Sequence, residues 1–319
     1  MKHNRNIGGY IGVDFGKNKY EFFHKGYCLE LQSARACLYT FLKSKNYKKI
    51  YVPEYYCDVI DNVFTQLDID VEFYSITHDF NFNLNKKLLK DEVVILINYF
   101  GINSKNINCF LENNNPENVI IDNAQAFFSK VKKCAANIYS PRKFFGIPDG
   151  GYLFCDLDIN APLEKYKPKY IEHLLLEFSG QQTVGYNSFL QSEQQLIEQF
   201  SPVQMSDLSK ALMKVNDFNS IAKNRIDNFI ILDDAFKNIN INQFILDEDD
   251  IPLCYPLRLN QNVSSICNYL INRNIFLPRY WPSITNNEFY TNTLFLPVDQ
   301  RLDKDKIYFL INEVKGYLK

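Results

Sequence analysis

The sequence predicts an α/β protein, a parallel or mixed sheet with helices on its faces, followed by a smaller α+β domain. Short apolar runs alternate with helical patterns through the first half of the chain, and the texture changes beyond about residue 200. Its 319 residues, 46% hydrophobic and 23% charged, are enough for about two domains with a buried core and no covalent staple.

Six segments read as buried strands because they are short, rich in β-branched or aromatic residues and bounded by polar stretches. They are Ile50 to Val52, Val71 to Ile76, Val93 to Ile97, Val119 to Ile121, Asn137 to Tyr139 and Tyr152 to Cys155. Between them, Ala34, Cys37, Leu38, Phe41 and Leu42 recur at helical spacing behind Ser33, a natural N-cap, and Val59, Val63, Phe64 and Leu67 repeat the pattern after Pro53. Strand and helix in alternation argue for crossover units. Met205, Leu208, Leu212, Val215, Phe218 and Ile221 form one long apolar stripe at helical period, and a domain boundary is expected within it. The predicted division is an N-terminal arm over 1–30, a large domain over 31–215 and a small domain over 216–319. In the last, Tyr255 to Leu259 and Thr293 to Leu296 read as strands and Ile307 to Leu318 as a terminal amphipathic helix.

Composition excludes several function classes. The 35 basic side chains against 37 acidic ones leave a net charge of −2, and no basic run tracks a phosphate backbone, so nucleic acid is not an expected partner. The eight cysteines are scattered without C-x-x-C spacing and read as small buried hydrophobes in a reducing compartment. The first residues lack the apolar core of a signal peptide, and no apolar run is long enough to span a bilayer, so the expected location is the cytoplasm. His3, His24, His78 and His173 have no neighbours at metal-ligand spacing, and no G-x-S-x-G elbow supports a serine hydrolase. The glycines from Gly8 to Gly16 fit neither a dinucleotide fingerprint nor a P-loop, and Asp247 to Asp250 reads as a solvated turn instead of a calcium loop.

Three segments fall at a strand end or a helix start, where open α/β sheets collect ligands: Leu31 to Ala36, Ile120 to Ala126 and Tyr139 to Gly151. Singly, Ser33 is an N-cap, Asp122 a strand-end carboxylate and Lys143 a solvated lysine. In this order they supply a helix N-terminus for a phosphate dianion, a carboxylate to keep a pyridine nitrogen protonated and an amine to bond an aldehyde. Those are the requirements of pyridoxal phosphate.

At these residues the chain resembles the DegT/StrS-type family of pyridoxal-phosphate-dependent nucleotide-sugar aminotransferases. The resemblance rests on Ser33-Ala34-Arg35-Ala36-Cys37-Leu38, Val52-Pro53-Glu54-Tyr55-Tyr56-Cys57, Ile121-Asp122-Asn123-Ala124-Gln125-Ala126, and Tyr139-Ser140-Pro141-Arg142-Lys143 running into Asp149-Gly150-Gly151. Near the C-terminus it adds Tyr280-Trp281-Pro282 and Leu296-Pro297-Val298-Asp299-Gln300-Arg301. It implies the fold-type-I architecture, a mostly parallel central sheet sandwiched by helices with a small C-terminal α+β domain. By resemblance, Lys143 would carry the cofactor covalently and shuttle the proton. Asp122 would pair with the ring nitrogen, and Gln125 would face the phenolic oxygen or the ring. Ser140, with Ser33 as cap and the amides of Ala34 and Arg35, would hold the phosphate, and Tyr55 or Tyr56, of which Tyr56 is the candidate, would stack on the ring. The family's Gly-Tyr-Asn-x-Arg-Met segment, which reaches the partner subunit's site, is matched only as far as Gly185-Tyr186-Asn187. Asn187, Arg258, Arg279 and Tyr280 are candidate substrate residues.

The implied activity is transfer of an amino group from an amino acid, with glutamate as the expected donor, to a keto-sugar nucleotide for surface-polysaccharide assembly by a homodimer. Dehydration or elimination on a sugar is the enzymatic alternative, opposed by Lys143, since dehydrating relatives carry His there. A cofactor-binding protein without turnover is the non-catalytic one.

Overall fold

The structure, a computed structural model, describes residues 7–8, 28–283 and 287–319. The expected arm over 1–30 therefore lies mostly outside the described residues, as do His3 and His24. The first half contains strands β1 (Ile7–Gly8), β2 (Leu29–Leu31), β3 (Lys49–Pro53), β4 (Asp70–Ile76), β5 (Phe82–Asn83), β6 (Glu92–Ile97), β7 (Val119–Asn123), β8 (Ala136–Tyr139) and β9 (Gly151–Phe154). Helices α1 (Ala34–Ser44), α2 (Asp61–Leu67) and α3 (Ser104–Asn113) separate them. Eight strands form one sheet in the order β2-β9-β8-β7-β6-β3-β4-β5. The run β8-β7-β6-β3-β4 is parallel, and β9, β2 and β5 join antiparallel. All six residues of β6 and all four of β8 are buried, as parallel strands covered on both faces require.

The second half holds α4 (Glu172–Phe178), α5 (Gln182–Glu198), α6 (Asp207–Met213) and α7 (Phe218–Phe236), then β10 (Cys254–Arg258), α8 (Ser264–Ile271), β11 (Ile275–Phe276), α9 (Glu288–Thr291), β12 (Thr293–Pro297) and α10 (Lys304–Leu318). The pair β10 and β12 runs antiparallel, and Phe229, Leu232, Leu257, Leu294, Ile307 and Leu310 pack a core separate from that of the large sheet. Among the described residues no helix is long and apolar enough to cross a membrane.

Three local expectations change. The stripe expected as one helix from Met205 to Ile221 is two helices, because two side-chain caps interrupt it: Ser206 Oγ accepts from the Ser209 amide at 3.1 Å and Asp217 Oδ1 from the Ser220 amide at 3.0 Å. Met205 lies before α6 and packs with Phe127, Phe145 and Phe218. The turn Asp247 to Asp250 is pinned, not simply solvated. Asp250 is buried and accepts from the amides of Ser104 and Asp247, while Asp249 pairs with Lys130 and Lys132. Of the cysteines, all unpaired, Cys37 and Cys254 are buried and Cys109 is exposed, so the buried-hydrophobe reading holds only for some.

Candidate active site

The first wall comes from the start of α1. Ser33 is extended, and its Oγ accepts the Ala36 amide at 3.1 Å. The amides of Ala34 and Arg35, in the first turn, have no acceptor within the helix and carry the positive end of its dipole. Gly150 and Gly151 bring the neighbouring loop against this turn: the Gly150 amide donates to Gln32 O at 2.8 Å with φ at +144°. A Cβ on Gly151 would fall on the Ser33 carbonyl and 2.5 Å from the Ala34 nitrogen. The Asp-Gly-Gly segment is thus a close backbone approach that only glycine permits.

The second wall is the C-terminal end of β7, in register with Ile97 of β6 and Ile138 of β8. The Asp122 carboxylate accepts the Ala124 amide at 2.8 Å. Burial pushes its pKa up, against the opposing pull of the Lys143 ammonium and the Ala124 amide. Gln125 is buried. Its Oε1 accepts the Phe100 amide at 3.1 Å, while its Nε2 is buried without a partner among the described residues.

The third wall follows β8. Pro141 opens a single 3-10 turn, Pro141–Lys143, closed by the Phe144 and Phe145 amides on Pro141 O at 2.9 and 3.0 Å. Below it lie the rings of Phe127, Phe128, Phe144, Phe145 and Phe218. Later elements grip the same turn: Gln300 Nε2, after β12, donates to Phe144 O at 2.9 Å, and the fully buried Arg225 guanidinium of α7 stands 4.5 Å over the Phe144 ring. Lys143 is half-buried, and no hydrogen bond or ion pair engages its amine among the described residues. The anchored turn places Lys143 on the wall of the cavity.

These walls enclose a cavity of about 210 Å³ lined by Ser33, Ala34, Arg35, Asp122, Gln125, Ser140 and Lys143, seven of the residues singled out from the sequence. The same cavity is lined by Cys57, Arg142, Trp281 and, from α5, Glu193, Leu196 and Ile197. Arg142 Nη2 pairs with Glu193 Oε1, and Arg35 Nη2 donates to Leu196 O. Burial pushes the Arg142 pKa down to about 10, with the Arg35 charge acting the same way and Asp149 opposing. Trp281 holds a positive φ of 57°, rare for a bulky residue, with its ring edge-on to Tyr55 at 4.5 Å.

The remaining sequence candidates lie elsewhere than on this cavity. The Tyr56 hydroxyl donates to Asp61 at 2.8 Å and its ring tilts on Phe73, so the ring aromatic at the cavity is Trp281. Asn187 is exposed on α5. Arg258 is buried between Glu288, His78 and the Phe289 ring, and Arg279 stacks on Tyr290 and donates to its carbonyl at 3.1 Å. Tyr280 packs on Phe100 and Phe295. Arg142 and Glu193 were not singled out. Arg142 was adjacent to Lys143 in the sequence, whereas nothing in the Gln-rich α5 marks Glu193.

No family model and no curated protein matches this sequence. Solved structures match nearly end to end. The putative sugar aminotransferase Spr1654 from Streptococcus pneumoniae, in its PMP form, is 14% identical with a TM-score of 0.68, covering 98% of this chain and 100% of that one. The same protein also matches in apo and PLP forms. The aminotransferase TlmJ from Streptoalloteichus hindustanus is 13% identical with a TM-score of 0.63, covering 91% of this chain and 85% of that one. A DegT DnrJ EryC1 StrS aminotransferase from Brucella abortus is 13% identical with a TM-score of 0.61, covering 92% and 86%. At this level of identity the likeness shows the fold: a mostly parallel central sheet with flanking helices, as in the sugar aminotransferases.

Proposed function

We propose that the chain binds pyridoxal phosphate in the cavity at the ends of β7 and β8 and transfers an amino group from an amino acid, glutamate, to a keto sugar carried on a nucleotide. The observation that carries this reading is the convergence, on one cavity beside the open amides of α1, of the unengaged Lys143 amine, the half-buried Asp122 carboxylate and a Gln125 Nε2 with no partner among the described residues. That donor set fits the cofactor. It offers amides and a hydroxyl for a phosphate, a carboxylate for a ring nitrogen, an amide donor for a phenolic oxygen and an amine for an aldehyde.

When bound, pyridoxal phosphate supplies an aldehyde and an electron-withdrawing ring through which an amino group passes between two carbon skeletons. Lys143 Nζ holds the group and, once released, carries a proton at the substrate carbon. Asp122, disfavoured as a bare anion by burial, would be stabilised by a cationic N–H and so would keep a proton on the ring nitrogen of the bound cofactor. Ser140 and the amides of Ala34 and Arg35 bind the phosphate, with Ser33 fixing the turn that presents them. The buried Trp281 and Leu196 present apolar surface to the cavity.

Purified protein incubated with pyridoxal phosphate is expected to show a visible absorption that borohydride bleaches, with the reduced adduct on Lys143. Lys143→Ala abolishes it, and a colourless, unlabelled wild type overturns the reading. Amino acids supplied singly, then keto-sugar nucleotides, identify donor and acceptor.

The finer reading is a homodimer in the cytoplasm serving surface-polysaccharide assembly. Its dimer is supported by the apolar side chains that α4 and α5 expose, Leu175, Phe178, Val184, Tyr186 and Leu190, with Asn187 also on α5. Sedimentation distinguishes dimer from monomer.

A further inference from the structure

We propose that Arg142 is an anion-binding residue for the phosphate end of the cavity and that Glu193 is its displaceable counter-ion. This rests on the cofactor reading and extends it to a residue outside the phosphate cradle formed by α1 and Ser140. Arg142 lies two residues beyond Ser140 and lines the same cavity as Ser33, Ala34 and Arg35. Its Nη2 is held by Glu193, but its Nε is buried with no partner among the described residues, so within them one edge of the guanidinium has given up water without gaining an acceptor. Phosphate accepts from an arginine through two parallel N–H groups, and this edge offers one of them.

The charge around the cavity favours the same ligand. Arg35, Arg142 and Lys143 contribute three cations, and Asp122 and Glu193 two carboxylates, on the walls. Arg35 is close enough to disfavour the charge on Arg142. Its own guanidinium has a neutral carbonyl, Leu196 O, as its hydrogen-bond partner. A dianion beside these two guanidiniums relieves their repulsion. Glu193 is the residue able to yield: its side chain is 38% exposed, against 20% for Arg142, so on losing the pair it can turn to water. A carboxylate retained beside a bound phosphate would oppose it, and its departure leaves Arg142 to the ligand.

Two ligands that differ only in phosphate, pyridoxal phosphate and pyridoxal, are titrated by absorbance into the full-length wild type, Arg142→Gln, Arg142→Lys and Glu193→Gln. Inorganic phosphate is followed in parallel by thermal shift. Arg142→Gln is expected to weaken pyridoxal phosphate by about tenfold, the scale of one hydrogen bond to a charged group, and to leave pyridoxal unchanged. Arg142→Lys, which keeps the charge without the fork, recovers part of the loss, and Glu193→Gln tightens both pyridoxal phosphate and inorganic phosphate. An unchanged ratio between pyridoxal phosphate and pyridoxal in Arg142→Gln and Arg142→Lys overturns the proposal while leaving the cofactor reading intact, as does weaker phosphate binding in Glu193→Gln. A wild type stabilised by inorganic phosphate through Arg142 but blind to both pyridoxal forms overturns the cofactor reading and leaves the anion site standing. If Arg142→Gln does not fold, the Arg142→Lys and Glu193→Gln comparisons decide.

Discussion

The cavity has two kinds of wall. One belongs to the sheet: Asp122 at the end of β7, Ser140 after β8 and the start of α1, fixed by ladder hydrogen bonds and by the approach of Gly151 to Ser33. The other belongs to the α4–α5 hairpin, whose Glu193 and Leu196 O reach the sheet side through two arginines. In the sheet wall Asp122, Ser33 and Gly151 are also structural residues, through the Ala124 amide, the Ala36 amide and the close approach of β9 to α1. The hairpin wall is tied by polar side chains at its edge, and such contacts exchange with water or with a ligand at little cost. On the proposed reading, the chemistry falls to the sheet side and the phosphate end borders the hairpin side.

The largest effect is expected where charge is fixed on the sheet wall. Asp122→Asn keeps the size and the acceptor for the Ala124 amide but removes the negative charge, and should lower the transamination rate by roughly a hundredfold or more. Single-turnover absorbance changes with a chosen amino donor measure it. A rate within threefold of wild type would mean that the carboxylate is only a strand-end cap.

Next is the contact that holds two parts of the sheet wall together. Gly151→Ala drives a Cβ into the Ser33 carbonyl and the Ala34 nitrogen, backbone atoms that move only if β9 or α1 moves. The expected loss is about 3 kcal/mol, the upper end for overpacking, read as a lower midpoint in urea. The same variant should weaken the ligand's phosphate contact, because the Ser33 turn shifts with it. Unchanged stability would show that the approach is looser than it looks.

The two walls also differ in how much the sequence disclosed. Strand ends were legible because buried parallel strands leave continuous apolar runs, so Asp122 and Ser140 stand out as the first polar residues after Ile121 and Tyr139. The N-cap at Ser33 was legible from the apolar spacing behind it. The hairpin wall was not. Its contacts join residues 142 to 193 and 35 to 196, pairings that no local pattern encodes, and the apolar residues of α5 face outward as well as inward. Tyr56 misled for a related reason: two adjacent tyrosines follow β3, and the register sends one into Tyr99 and Trp281 and the other onto Asp61. Trp281, far along the chain, takes the place beside the cavity.

The smallest effect belongs to the hairpin and should be visible in its acid response. His173 of α4 is buried, and its imidazole pKa is pushed down to about 4, first by burial and then by the Arg142 charge. The folded state therefore prefers the neutral ring, while the unfolded chain takes up a proton below its ordinary pKa of 6.5. Stability is unaffected by this group above pH 6.5, declines as pH falls from 6.5 and stops declining near pH 4. With partial solvent access the loss is on the order of 1 kcal/mol, and His173→Gln should flatten the curve in that window. Because Arg142 contributes to the depression, Arg142→Gln should raise the His173 pKa, measurable by NMR titration of the imidazole. A phosphate-bearing ligand engaging Arg142 should shift it in the same direction, since it screens the same charge. An imidazole that titrates identically with and without such a ligand would mean that the hairpin does not sense what the sheet wall binds.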